Sequence, residues 1–365
     1  MREGVAEQVR SMRDSSSGHH DHRAATRATG ENPLLPRARI VSVIAGQAPL
    51  VGSRLNPVLK RGWVSPVEAR VHLGIPYGDL VAEEATLLQK LSLGQKLAIV
   101  LRAFVAWIMA PRDGKAVPHR PLIVSTRVDN ITINEALDEI VAPPPGDRAR
   151  IIFIVHPHAL NIAKFNRDYA ELLQSGHLVL PDGIGIRIAA SILGIQIRHN
   201  INGTDLLPLL CKAVAQANLP LVLIGGKEGI AKECAANLQR DTPGLRVALT
   251  HQGYLSHEGS EALVQRVRAL QRSVVLVGMG TPIQERWVAK YFAHVPGTTV
   301  ITVGGLFDFF SGRVPRAPIA WRELGLEWLW RMRTEPRRLA KRYLIGNPLF
   351  LALACAQRVK EFFRN

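Results

Sequence analysis

The chain has 365 residues, enough for about two domains with a well-buried core, and 47% of them are hydrophobic. Its formal charge of +16 points to an anionic partner: nucleic acid, anionic lipid or a phosphorylated substrate. No run reaches the roughly 20 apolar residues of a membrane span, and Cys211, Cys234 and Cys355 lack paired or metal-type spacing, which argues against a disulfide scaffold and for a reducing compartment.

Residues 1–32, containing "DSSSGHHDHR", read as a disordered tail without the apolar core of a signal peptide. Residues 33–120 read as an N-terminal extension with one or two helices. Within it, "LAIVLRAFVAWIMAP" (97–111) is short for a span and carries Arg102, so it reads as an interfacial or buried helix. "VAPPPGD" (141–147) is a stiff loop.

A regular rhythm follows. Apolar, β-branched runs at Leu122–Ser125, Ile151–Val155, Leu178–Leu180, Leu221–Ile224, Arg246–Leu249, Val274–Val277 and Val300–Val303 read as strands. Helical patterns fill 159–174, 183–193, 204–217, 227–240, 257–270 and 283–293. Continuously apolar strands alternating with helices predict an α/β, Rossmann-like, mainly parallel sheet covered by helices, over 121–312. Residues 313–365 form a basic appendage with twelve Lys or Arg against four acids, interleaved with Trp321, Trp328, Trp330, Tyr343 and Phe350. That mixture suits an anionic membrane surface, and also single-stranded nucleic acid.

Polar and glycine residues gather at the predicted carboxyl ends of the strands, where such sheets bind ligands. They are His156-Pro157-His158, Pro181-Asp182-Gly183, Gly225-Gly226-Lys227, the run from Gly278 through Gly280 to Gln284-Glu285, and Gly304-Gly305 before Asp308. The loops "IGGKEG" and "VGMGTP" let a phosphate approach a helix N-terminus, yet each is equally a tight strand–helix turn. Neither is a P-loop or a dinucleotide fingerprint, which disfavours an oxidoreductase. Asp182 is the general-base candidate, although Pro-Asp-Gly is also a common turn. Gln284 faces the same cleft, and Glu285 either joins it or complements a helix dipole. Asp308 contacts a ribose or base, or braces its loop. His156 and His158 are sugar donors, metal ligands or structural. With no DxD motif, the site reads as metal-independent and without a cofactor.

With these residues in hand, the sequence resembles the WecG/TagA/CpsF glycosyltransferases over about 121–350. The resemblance rests on "DNITINEALDEI", "LVLPDGIGI", "INGTDLLPLL", "LVLIGGKEG", "VGMGTPIQERWV", "VGGLFDFFSGRVPRAP", "GLEWLWR" and "EPRRLAKRYLIGNPLF". It implies inverting transfer of a hexose from a UDP-sugar to a polyprenyl diphosphate-linked saccharide, in bacterial exopolysaccharide or cell-surface polysaccharide synthesis. It implies a protein peripheral to the cytoplasmic face of the inner membrane, with no nucleic-acid partner and the oligomeric state left open. Asp182 matches the family's base and Gln284 its donor-region glutamine. Arginines among Arg331, Arg337, Arg338 and Arg342 would meet the acceptor's diphosphate.

Two departures bear on the donor. His156-Pro157-His158 stands where relatives usually have Thr-x-Asn, and Asn200 where they commonly have arginine. Losing that cation favours a neutral hexose donor such as UDP-glucose, with UDP-N-acetylmannosamine or its uronate as the alternative. His156 is expected to supply positive charge at low pH, because an imidazole titrates near pH 6.5. A non-catalytic protein binding nucleic acid or anionic membrane is the reading from another class. It leaves the clustered strand-end residues unexplained.

Overall fold

The computed structural model describes residues 91–109, 117–144, 146–317 and 327–364, with isolated positions between 51 and 88; the side chains of 102–109 and of Arg338 lie outside that description. The predicted tail, most of the N-terminal extension and Trp321 therefore lie outside the described residues. Two compact units emerge, residues 1–69 with 79–107, and residues 70–78 with 108–365.

In the first unit, Val51, Val64 and Ile99 form a small buried cluster with Leu88, Leu91 and Val100 against it. Helix α1 (Leu93–Met109) contributes Ile99 and leaves Leu93, Leu97 and Leu101, spaced four residues apart, exposed.

The second unit is built on a six-stranded sheet of β3 (Arg150–Val155), β4 (Leu178–Pro181), β5 (Leu221–Gly225), β6 (Val247–His251), β7 (Ser273–Gly278) and β8 (Thr298–Thr302). Every neighbouring pair is parallel, in the order β4-β3-β8-β7-β5-β6. Alternate side chains point to opposite faces. Ile152, Ile154, Leu221, Leu223, Val274 and Leu276 enter one core. Phe153, Val155, Val222, Ile224, Val275 and Val277 enter the cores behind. Both faces are apolar because helices cover both, as the continuous runs predicted.

Those helices are α2 (Ile133–Val141), α3 (Pro157–Phe165), α4 (Arg167–Gln174), α5 (Ile184–Ile192), α6 (Gly203–Gln216), α7 (Ile230–Asp241), α8 (His257–Arg268) and α9 (Ile283–Phe292). The helix expected over 159–174 is two, divided at Asn166. That residue leaves α3 in an extended conformation, and its side chain accepts the Tyr169 N–H at 2.9 Å to start α4.

The run Leu122–Ser125 is not a strand of the sheet. It folds as a small antiparallel hairpin of β1 (Leu122–Ile123) and β2 (Thr126–Arg127), turned at Val124, whose φ of 59° is left-handed. The cause is tertiary. Gln357 accepts the Val124 N–H at 2.7 Å and donates to the Leu122 carbonyl at 3.1 Å, satisfying a backbone that no sheet neighbour reaches.

Gln357 belongs to α13 (Asn347–Phe362), which follows α10 (Leu306–Phe310), α11 (Glu327–Thr334), α12 (Pro336–Ala340) and a π-helical turn, Lys341–Gly346. Phe350 and Ala354 of α13 are fully buried in the same core as α3 and α5. The expected appendage is thus of two kinds: its last helix is a core element, and its earlier part forms a wall of the site.

Candidate active site

A cavity of about 1070 Å³ opens at the carboxyl ends of β3, β4, β7 and β8. Its wall includes His156, His158, Asp182, Asn200, Gly280, Gln284, Arg331 and Arg342. Gly225, Gly226, Gly278, Asp308 and Arg337 are not part of it. Arg337 is exposed to solvent.

Asp182 follows β4, and its backbone N–H bonds the Val155 carbonyl at the end of β3 at 2.8 Å. Gly183, at a φ of 94°, takes the N-cap position of α5, and no side chain caps that helix. The Asp182 side chain is therefore not spent on the turn. Among the described residues it makes no hydrogen bond or ion pair and faces the cavity. Burial raises its pKa to about 7; Glu327 pushes the same way, while Arg331 and Arg342 pull against it.

Asn200 braces this turn. Its Oδ1 accepts the Gly183 N–H at 2.7 Å, and the next residue, Ile201, donates its N–H to the Pro181 carbonyl at 2.9 Å.

His156 is the N-cap of α3: its Nδ1 accepts the Ala159 N–H at 3.2 Å, with Pro157 opening the helix. His158 stacks beside it, ring centroids 6.1 Å apart. Burial holds the His156 imidazole well below its usual range, and Arg342, His158 and Arg331 add to the effect. Burial and Arg342 lower His158 as well. The expected positive charge on His156 at low pH is thus corrected: its protonation would break the cap and set a buried cation beside arginines.

Gln284 is buried, and both its oxygen and its nitrogen are hydrogen-bonded. Its Oε1 accepts the N–H of Gly280 at 3.2 Å and of Gly304 at 2.9 Å, while its Nε2 donates to Glu285 at 2.9 Å. Glu285 also accepts from the Thr281 hydroxyl at 2.9 Å and is completely buried, so it anchors the loop from behind. The glycines outside the wall have a packing reason. A Cβ on Gly225 would lie 2.3 Å from the Gly278 carbonyl, and one on Gly278 would lie 2.7 Å from that of Gly304. Gly226 donates its N–H to the same Gly278 carbonyl at 3.0 Å. Three strand-end loops touch backbone to backbone, and side chains would part them.

The opposite wall comes from the basic segment. Glu327, Trp328 and Arg331 of α11 line the cavity, with Lys341, Arg342 and Tyr343 of the π-helical turn. Trp328 meets Tyr343 edge-on at 5.8 Å. The Arg331 guanidinium lies 5.1 Å from the Phe309 ring centroid, and its Nε is buried without a hydrogen-bond partner. A buried cationic donor of that kind suits an anion. Phe165, Ile345 and Leu349 line the same cavity yet are exposed, giving it an apolar rim.

Residues 122–363 match the glycosyl transferase WecG/TagA/CpsF family. The chain belongs to this family. It is 27% identical over 231 residues, 63% of this chain and 89% of the relative, to an N-acetylglucosaminyldiphosphoundecaprenol N-acetyl-beta-D-mannosaminyltransferase of Staphylococcus aureus (strain NCTC 8325 / PS 47). A relative with the same name from Bacillus spizizenii (strain ATCC 23059 / NRRL B-14472 / W23) is 30% identical over 192 residues, 53% of this chain and 74% of the relative. The match starts at Leu122 and so takes in the hairpin, the sheet and α13.

The cavity also holds residues to which the sequence assigned no role. Arg187, one turn into α5, lines it, and burial lowers its guanidinium to about 10, so it remains a cation at neutral pH. Its place one turn after Pro-Asp-Gly was a usable signal. Asn202, Asp205 and Glu327 also line the wall. Asp205 is paired with Arg316, which also donates to the Thr204 hydroxyl at 2.9 Å, tying the segment after α10 to the start of α6. Among the described residues no group of three or more His, Cys, Asp or Glu is placed to hold a metal ion, and no helix is long and apolar enough to cross a membrane.

Proposed function

We propose that this glycosyltransferase moves a hexose, with inversion, from a UDP-sugar to a polyprenyl diphosphate-linked saccharide, with Asp182 as general base. The observation that carries this reading is Asp182 itself: a carboxylate with no hydrogen bond among the described residues, facing the cavity, with a pKa raised to about 7. A base poised near the working pH is the most effective one. Asp182 takes the proton of the acceptor hydroxyl as that oxygen bonds to the anomeric carbon. The bond from that carbon to the diphosphate oxygen breaks at the same time, and the electron pair leaves with UDP.

The other parts divide the remaining work. The start of α9, which no side chain caps, suits the donor's diphosphate, as does the cation Arg187 in the same cavity wall. Arg331 and Arg342 suit the acceptor's diphosphate, since a planar guanidinium binds phosphate oxygens in pairs. The rim of Phe165, Ile345 and Leu349 beside Lys341 fits a lipid-bearing acceptor at an anionic membrane face, with the protein peripheral to the cytoplasmic side of a bacterial inner membrane. No metal enters this mechanism.

For the donor, a neutral hexose such as UDP-glucose fits the change to Asn200. Transfer of N-acetylmannosamine or its uronate is the second reading, favoured by the names of the two relatives. Release of UDP from each UDP-sugar, with polyprenyl diphosphate-linked N-acetylglucosamine as acceptor and product mass spectrometry, tests both. UDP release that does not depend on the acceptor would overturn the transfer reaction.

A further inference from the structure

Asp182 is surrounded by charge from several elements. Glu327 and Arg331 come from α11, Arg342 and Lys341 from the π-helical turn, Asp205 from α6 and Arg187 from α5, while His156 and His158 face the cavity from α3. Two of these acids differ in how far their charge is cancelled. Asp205 is ion-paired with Arg316. Among the described residues the carboxylate of Glu327 receives one hydrogen bond, from the neutral amide of Asn202 at 3.3 Å, and no basic side chain pairs with it.

The backbone connects this acid to the base. Asn200 holds the Gly183 N–H beside Asp182, Ile201 bonds the Pro181 carbonyl, and Asn202 holds Glu327. Three consecutive residues thus fix the Pro-Asp-Gly turn and the first turn of α11 to one strip of chain. Glu327 also complements the dipole of α11, being in its first turn, but that role calls for neither the Asn202 bond nor a place in the cavity wall.

We propose that Glu327 is a positioning residue for transfer: carried into the cavity by α11, its negative charge keeps Asp182 a strong enough base to take the acceptor's proton. This rests on the reading of Asp182 as the base. A nearby like charge disfavours a second ionised carboxylate, so a proton on Asp182 is held more tightly while Glu327 is ionised. Glu327 is the strongest charged influence on Asp182 after burial, ahead of both arginines and Asp205. The same helix supplies the opposing cation, Arg331, one turn later. The sequence "GLEWLWR" therefore brings to the base both the charge that strengthens it and one that restrains it.

The test follows the protonation of Asp182 directly, apart from turnover. Infrared difference spectra of the full chain, taken against pH, show a protonated-carboxyl band assigned to Asp182 by its loss in Asp182→Asn. In Glu327→Gln the midpoint of that band should fall by about half a unit or more, with the acid limb of kcat/KM moving with it. Glu327→Asp, which keeps the charge, should restore the midpoint. Glu327→Ala removes the charge without adding an amide and serves if the glutamine variant does not fold. An unmoved or raised midpoint in a folded neutral variant, with activity lost equally at every pH, would overturn the proposal. Full turnover in Asp182→Asn would instead sink the reading of Asp182 as base, whatever the midpoint in the Glu327 variants.

Discussion

The Gln284 side chain accepts the Gly304 N–H at 2.9 Å and so joins the loop after β7 to the loop after β8. It also accepts the Gly280 N–H, so two half-buried backbone donors depend on one amide oxygen. Gln284→Ala should therefore lower stability by about 1–3 kcal/mol for each donor left unpaired, and raise the donor KM as the Gly280 loop loosens. Denaturant unfolding with UDP-sugar kinetics would check both. Unchanged stability with lost turnover would instead mark Gln284 as a direct substrate contact.

Asp182→Asn should keep the fold and UDP binding and cut turnover by roughly 10²–10⁴, the usual range for loss of a general base. Turnover and UDP titration on the same preparation separate the two effects. Near-normal turnover would remove Asp182 from the role.

The pH dependence follows from the raised pKa of Asp182, about 7 in the folded protein against 3.8 ordinarily. Activity should fall as the pH drops through about 7, because the base becomes protonated. Stability runs the other way. Between the two values the folded state holds a proton that the unfolded state has released, so stability decreases as the pH rises across that window. Asp182→Asn should then be the more stable protein above pH 7, seen as a higher Tm, and no gain there would contradict the raised pKa.

Arg331 lines the cavity and Arg337 does not. Arg331→Gln should weaken the polyprenyl diphosphate acceptor by roughly tenfold to a hundredfold, the range for a charge-assisted hydrogen bond. Arg337→Gln should change the acceptor KM by less than about threefold, as expected of an exposed charge. Equal losses in the two variants would place the acceptor's diphosphate outside this cavity.

Donor choice is best tested at His158. Asn200→Arg would leave the Gly183 N–H without its acceptor, so it should depress turnover with every donor. His158→Asn leaves that brace intact. It should change the preference among UDP-glucose, UDP-N-acetylmannosamine and a UDP-uronic acid by about tenfold in a direct competition. An unchanged order of preference would show that this position does not select the sugar.

The sheet was legible because burial on both faces demands unbroken apolar runs, and six of the seven expected strands lie in it. The exception, Leu122–Ser125, has strand composition, but its backbone is satisfied by Gln357, a residue far along the chain. The edge of the sheet that carries the site was also legible, from the polar residues collected there. Which glycine faces the cavity was not. Gly225 and Gly278 have the same local appearance as Gly280, and only the pairing of β5 with β7 shows that they make room for neighbouring backbone. The place of Glu327 was hidden for the same reason: nothing near it in sequence indicates that Asn202 holds it in the cavity wall.

The bond between Gln357 and the Val124 turn also limits which parts of this chain can be exchanged by recombination. The first and last elements of the catalytic unit hold each other, through Gln357 and through the burial of Phe350 and Ala354 against α3 and α5. A crossover between relatives that exchanged only the C-terminal helices would separate a clasp from the hairpin it secures, and would fill an interior shaped for other side chains. The last helix would then pass between chains only together with the hairpin and the two core helices beneath it. Exchange of residues 327–346 alone, which line the cavity and leave the clasp untouched, is the smaller unit that could move by itself.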